Sequence, residues 1–156
     1  MDIQTILVAT DFSAASAPAT TYAFSLARAL HARLYIMYVV PEDDTRVITA
    51  ISGYLQSEVT PATLVETLYM EADKRLTALV EEAHATDLIQ ERLIVTGEPA
   101  ATIMSWAATK QVQLIVIGTH GRHGVTRFLM GSVAERVLRE ALCAVLVVPA
   151  TTVNTA

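Results

Sequence analysis

Leu114-Ile115-Val116-Ile117-Gly118-Thr119-His120-Gly121-Arg122-His123-Gly124-Val125-Thr126-Arg127-Phe128-Leu129-Met130-Gly131-Ser132 is the stretch on which the reading turns. Its first four residues form an unbroken aliphatic run. Alternation of apolar and polar residues is lost when helices cover both faces of a sheet, so the run predicts a fully buried strand. Glycines at 118, 121 and 124 follow directly, and Gly131 stands where a helical pattern begins, running to about Leu142. Ser132 and Glu135 have the spacing of a capping box, which predicts Ser132 as the N-cap.

Similar aliphatic runs recur along the chain at Ile6 to Ala9, Leu34 to Val40, Leu93 to Val95 and Val145 to Val148. Helical patterns separate them. Between Ala14 and Ala32 the expected apolar stripe is Ala19, Tyr22, Ala23, Leu26 and Leu30; between Pro61 and His84 it is Leu64, Leu68, Ala72, Leu76, Leu79 and Ala83. Gly97-Glu98-Pro99 opens a helix that ends near Lys110, with Pro99 at its first position. The order β-α-β-α-β-α-β-α-β predicts an α/β fold with one open parallel sheet, wound by right-handed crossovers. Residues 1–150 are expected to form a single domain and residues 151–156 a flexible tail, with Pro41 to Thr60 the one long irregular segment.

Composition removes several function classes. Of 156 residues 53% are hydrophobic and 17% charged, ample for one core and incompatible with a disordered chain. Mean hydropathy is +0.42, yet the longest apolar run, Ala141 to Val148, is under half of the ~20 residues a spanning helix needs. Eleven Lys+Arg against sixteen Asp+Glu give a net charge of −5, without the basic footprint of a nucleic-acid binder. Cys143, the single cysteine, excludes an internal disulfide and a multi-cysteine metal site. The opening Met1-Asp2-Ile3-Gln4-Thr5 lacks the basic start of a signal peptide, so a cytoplasmic protein is expected, with no membrane partner.

In open α/β sheets ligands bind beyond the carboxyl ends of the strands, where strand order reverses. The loop after Ile117 has the composition for an anion. Glycines permit positive φ and close backbone approach, a helix N-terminus lies behind, and Arg122 and Arg127 add charge. A flexible turn before a capped helix would need the same glycines, so both readings stand at this point. The segment is no P-loop, because it contains no lysine, and Thr10-Asp11-Phe12-Ser13 after the first strand lacks the glycines of a dinucleotide fingerprint.

The spacing Gly118-x2-Gly121-x9-Gly131-Ser132 resembles the ATP-binding branch of the universal stress protein family. The similarity extends over essentially the whole chain: Ile6-Leu7-Val8-Ala9-Thr10-Asp11-Phe12-Ser13 resembles the family's first strand and its Asp-bearing loop, Gly131-Ser132-Val133-Ala134-Glu135-Arg136-Val137 its last helix, and Val145-Leu146-Val147-Val148-Pro149 its last strand. The resemblance implies a five-stranded sheet in the order 3-2-1-4-5. It further implies that ATP (or ADP or AMP, with magnesium on the phosphates) is held by Thr10, Asp11 and Val39 at the adenosine end and by Gly118, His120, Gly121, Arg122, Gly131, Ser132 and Val133 along the phosphates. A homodimer through the last strand, Val145 to Val148, is implied as well. Ala9 and Ala144 depart from the family, where proline is frequent at both positions; neither change removes a ligand group.

Other residues have plainer readings. Asp11 or Ser13 would also serve as a helix cap. His120 and His123 lack a third ligand for zinc, and His31 and His84 stand near helix ends, where they interact with the last carbonyls. Cys143 reads as structural, Met104 and Trp106 as core or interface. The expectation is a stress-response regulator that binds ATP and hydrolyses it slowly if at all, with no catalytic residue and no metal site. The alternatives are a nucleotidyl-transfer or adenylate-forming enzyme on the same fold, and a nucleotide-free dimeric interaction module.

Overall fold

A computed structural model describes residues 2–45, 61–119 and 130–150. The strands are β1 (Thr5–Ala9), β2 (Arg33–Pro41), β3 (Ile89–Gly97), β4 (Leu114–Gly118) and β5 (Ala144–Val148), and the helices α1 (Ala17–Leu30), α2 (Pro61–Glu82), α3 (Pro99–Thr109) and α4 (Ser132–Glu140). All strand pairs are parallel and the order is β3-β2-β1-β4-β5, as expected. The segment after β2 opens on a helical turn at residues 42–45. The remainder of that segment and the tail at 151–156 lie outside the described residues.

Each strand sends alternate side chains to opposite faces, so two cores form. Ile6, Val8, Leu34 and Ile36 pack under α1 and α2, and Leu7, Met37, Ile115 and Ile117 under α3 and α4. Ile6, Leu7 and Val8 are at most 1% exposed; each such side chain contributes about 1.5–3 kcal/mol by leaving water. The face of α1 differs from the expected stripe. Its buried residues are Ala19, Thr20, Ala23, Phe24 and Ala27, while Tyr22 and Leu30 stay exposed. Three alanines four residues apart make a flat strip toward the sheet, Phe24 is the one large side chain buried with them, and Tyr22 and Leu30 are left outside.

The two edge strands are unlike. β3 is much longer than the expected Leu93–Val95 because its charged residues pair with helices on both faces: Arg92 with Asp73 of α2 (3.3 Å) and Glu91 with Lys110 beyond α3 (3.0 Å). Lys110 also lies over the rings of Tyr35 and Trp106. Exposed pairs of this sort stabilise little, but charges along an edge discourage pairing with another sheet. β5, Ala144-Val145-Leu146-Val147-Val148, carries no charge at all.

Three helices end alike. His31, His84 and Gln111 have φ of 52°, 49° and 52°, and in each case the next residue's amide reaches back to the helix: Ala32 to Ala27 O, Ala85 to Val80 O, Val112 to Ala107 O. These are Schellman closures made without glycine, and both histidines meet the last carbonyls through their backbone N–H. The guanidinium of Arg28 joins two of these ends by donating to Ala83 O (2.9 Å) and His84 O (2.8 Å). A left-handed non-glycine residue is strained, so Gln111→Gly should raise stability by about 0.5–1 kcal/mol even after the added chain entropy of glycine. The urea midpoint of the variant against the parent measures this.

Candidate functional site

β1 and β4 lie side by side through Ile6–Leu114, Leu7–Ile115 and Val8–Val116. Beyond Val8 and Val116 the two chains part. The Thr10 amide bonds to Met37 O of β2 (2.9 Å), and the Thr119 amide bonds to Val148 O of β5 (3.0 Å). One chain follows its neighbour on the left and the other its neighbour on the right, which opens a crevice at the carboxyl end of the sheet. This is where open α/β sheets bind ligands.

The wall on the β1 side is built from hydroxyls. Asp11 Oδ1 accepts the amide (3.0 Å) and the hydroxyl (2.6 Å) of Ser13. Thr10 Oγ1 accepts the Phe12 amide (3.1 Å) and lies 3.2 Å from Ser16 Oγ, whose hydroxyl donates to Ser13 O (3.0 Å). The loop is therefore braced by its own side chains. Neither Asp11 nor Ser13 is the N-cap of α1. That position belongs to Ser16, which makes no side-chain cap bond. The buried Thr10 hydroxyl is committed to the turn and its amide to Met37 O, so a ligand could meet only its carbonyl. Val39 stands two residues beyond Met37. On the two-residue period of a strand its amide and carbonyl face the side that β1 has left.

The opposite wall is the end of β4 and the start of α4. Gly118 is the buried last residue of β4, and the Gly131 amide is bonded to Thr119 O at 2.6 Å. Gly131, not Ser132, is the N-cap of α4, with φ −63° and ψ 147° and no side-chain cap bond. The expected capping box is absent. Ser132 is the first helical residue and exposed, and the Glu135 carboxylate meets Arg139 at 3.5 Å instead. Starting the helix one residue later takes the Ser132 hydroxyl out of capping and leaves it at the helix mouth beside Gly131. Val133 packs partly against the core under α3 and α4. His120, Gly121 and Arg122 lie outside the described residues.

The dihedrals of Gly131 bear on its role. They are open to any residue, and among the described glycines none has positive φ. Conformation therefore does not require glycine at Gly131. Gly97 has an internal reason, since a Cβ there would run into the Thr102 hydroxyl.

Reading the sequence missed two features of the site. Phe12 has φ of 61°, its ring held between Tyr38 (centroids 4.7 Å apart) and the Arg75 guanidinium (4.5 Å); this left-handed step turns the chain out of β1 into the loop. Thr119 ties Gly131 to β5, and its Oγ1 accepts the Ala150 amide as well (3.3 Å). A polar residue directly after a buried strand was the signal available for Thr119.

Cys143 is half-buried, and burial pushes its thiol up from the ordinary range. It stays protonated at neutral pH, as a structural residue would. Met104 and Trp106 pack against the core under α3 and α4. Among the described residues no three His, Cys, Asp or Glu side chains gather for a metal ion, and no helix is long and apolar enough to cross a membrane.

The model of the universal stress protein family matches residues 2–149. The chain is 34% identical over 143 residues to universal stress protein MJ0531 of Methanocaldococcus jannaschii, covering 92% of this chain and 80% of that one. It is 32% identical over 147 residues to universal stress protein YxiE of Bacillus subtilis, covering 92% and 97%. The solved structure of UspA from Lactobacillus plantarum superposes with a TM-score of 0.75 at 25% identity, over 95% of this chain and 99% of that chain. A universal stress protein in complex with cAMP superposes with a TM-score of 0.65 at 26% identity, over 97% and 100%. With the fold, the strand order and the match along nearly its whole length, the chain belongs to the universal stress protein family.

Proposed function

We propose that the protein is a stress-response regulator that binds ATP in the crevice between the ends of β1 and β4. The observation that carries this reading is the parting of the two chains, with Thr10 bonded to β2 and Thr119 to β5. In the proposed arrangement the adenine edge meets the backbone of Val39 and the Asp11 carboxylate accepts from the ribose hydroxyls, while Thr10 contributes backbone. The phosphates run along Gly118, His120, Gly121 and Arg122 to the first turn of α4. There the Ser132 and Val133 amides of the first turn lie beside Gly131, whose own amide is held by Thr119 O, with the positive end of the helix dipole behind them. A relative of the same fold holds cAMP, which supports an adenine nucleotide as the ligand class. Magnesium would travel with the phosphates. The proposed role is regulation rather than turnover, as the loop from Gly118 to Ser132 contains no lysine to clamp a transferring phosphate.

We also propose a homodimer through β5. The Val148 carbonyl turns inward to Thr119, so on the two-residue period the Val145 and Val147 amides and carbonyls face outward from an edge without charge. Val145 to Val148 of a second copy, antiparallel about a twofold axis, would satisfy them. Unpaired, this edge would be a hazard, while β3 is blunted by its ion pairs.

Two measurements test these readings. In calorimetric titration, Gly131→Val should abolish ATP binding while circular dichroism shows a folded protein, because valine tolerates the observed dihedrals but fills the space over the helix mouth. Ser132→Ala should weaken binding several-fold and alter stability by less than about 0.5 kcal/mol, since its hydroxyl caps nothing. A folded Gly131→Val that binds ATP like the parent would move the phosphates elsewhere. Light scattering at micromolar concentration should give a dimer for the parent and a monomer for Val147→Pro, whose lost amide belongs to no bond within the sheet.

A further inference from the structure

We infer that Glu98 and Arg136 are positioning residues that fix the direction of α4 and thereby tune affinity for the phosphates. This rests on the phosphate site proposed at Gly131 and Ser132. Glu98 is the N-cap of α3, and its Oε1 and Oε2 accept the Ala100 amide (3.1 Å) and the Ala101 amide (2.8 Å). A carboxylate held by two amides of one helix has little freedom left. Arg136 of α4 donates from Nη1 to that same Oε2 at 2.7 Å. The guanidinium therefore docks on a fixed point at the end of β3, and the element that the contact restrains is α4.

α4 needs such a restraint. It has nine residues, of which only Ala134 and Val137 are buried, so packing sets its depth better than its direction. Among the described residues its start is tied to the sheet by the Gly131 amide on Thr119 O, and its end passes through a short link into β5 at Ala144. Ties at the two ends leave the helix free to turn about the line between them. Arg136 is four residues past Ser132, roughly 6 Å along the axis, and its contact with Glu98 lies off that line and sets the turn. The amides of the first turn then point in a set direction. The Arg136 contact with Glu140 at 3.2 Å lies within α4 and orients nothing beyond it.

Positioning and plain charge predict opposite signs. If Arg136 acted only as a positive charge near the phosphates, removing the Glu98 charge would free it and tighten ATP binding. If the pair sets direction, breaking it from either side weakens ATP binding. Adenosine, which has no phosphate, would be indifferent to α4. The experiment is calorimetric titration of ATP and NMR titration of adenosine on the full chain and on Arg136→Ala, Glu98→Gln and Glu140→Gln. Because exposed pairs are individually weak, Arg136→Ala and Glu98→Gln should each lower ATP affinity by about three- to fivefold, with adenosine affinity at the parent value and Glu140→Gln unchanged for both ligands. Unchanged ATP affinity in the first two variants, tighter binding by Glu98→Gln, or a parallel loss for adenosine would each overturn the inference. A parent that binds neither ligand would overturn the site reading, and this with it.

Discussion

The parting of β1 and β4 is the constraint from which the rest of the structure follows. Two strands that are neighbours in mid-sheet must send their chains to helices on opposite faces, because a right-handed crossover from β1 to β2 and another from β4 to β5 lead away in opposite senses. The gap is thus a property of the strand order β3-β2-β1-β4-β5, and any sequence adopting that order will have it. What this sequence adds is the treatment of the two walls. Hydroxyls and a carboxylate knit the β1 side into a braced turn, and among the described residues the β4 side presents backbone at Gly118, Thr119 and Gly131.

This division suits a ligand with two unlike ends. A braced polar wall provides hydrogen-bond acceptors at defined places, as a sugar requires. A wall of exposed amides at a helix start provides positive potential without side chains, as an anion requires. The bracing of the first wall has a cost in the left-handed Phe12, offset by burial of its ring against Tyr38 and by the Arg75 guanidinium on its face.

Much of this was legible in the residues. Unbroken aliphatic runs identified the strands because burial on both faces leaves no polar alternation, and the glycine spacing pointed to the carboxyl end of the sheet, where β1 and β4 part. The errors have physical causes. The stripe expected for α1 holds at Ala19 and Ala23 but includes the exposed Tyr22 and Leu30 in place of Thr20, Phe24 and Ala27, because the buried face is centred on the alanines and lies to one side of those two larger residues. β3 was cut short at its charged residues, whose partners Asp73 and Lys110 come from other elements. Ser132 matched a local capping pattern, but the Gly131 amide was drawn to Thr119 and the helix began one residue later than that pattern required. The contact of Glu98 with Arg136 joins residues far apart in the chain, and no local pattern announces such a pair.

The unequal edges of the sheet have one more consequence. A parallel sheet with two adhesive edges is a building block for a filament, since every addition leaves a fresh edge exposed. Here Glu91 and Arg92, paired to helices on either face, spoil one edge, while β5 stays plain. One edge is left open to pairing. A second copy joined at β5 would end the sheet at its own β3, and growth by strand addition would stop at a closed, finite assembly.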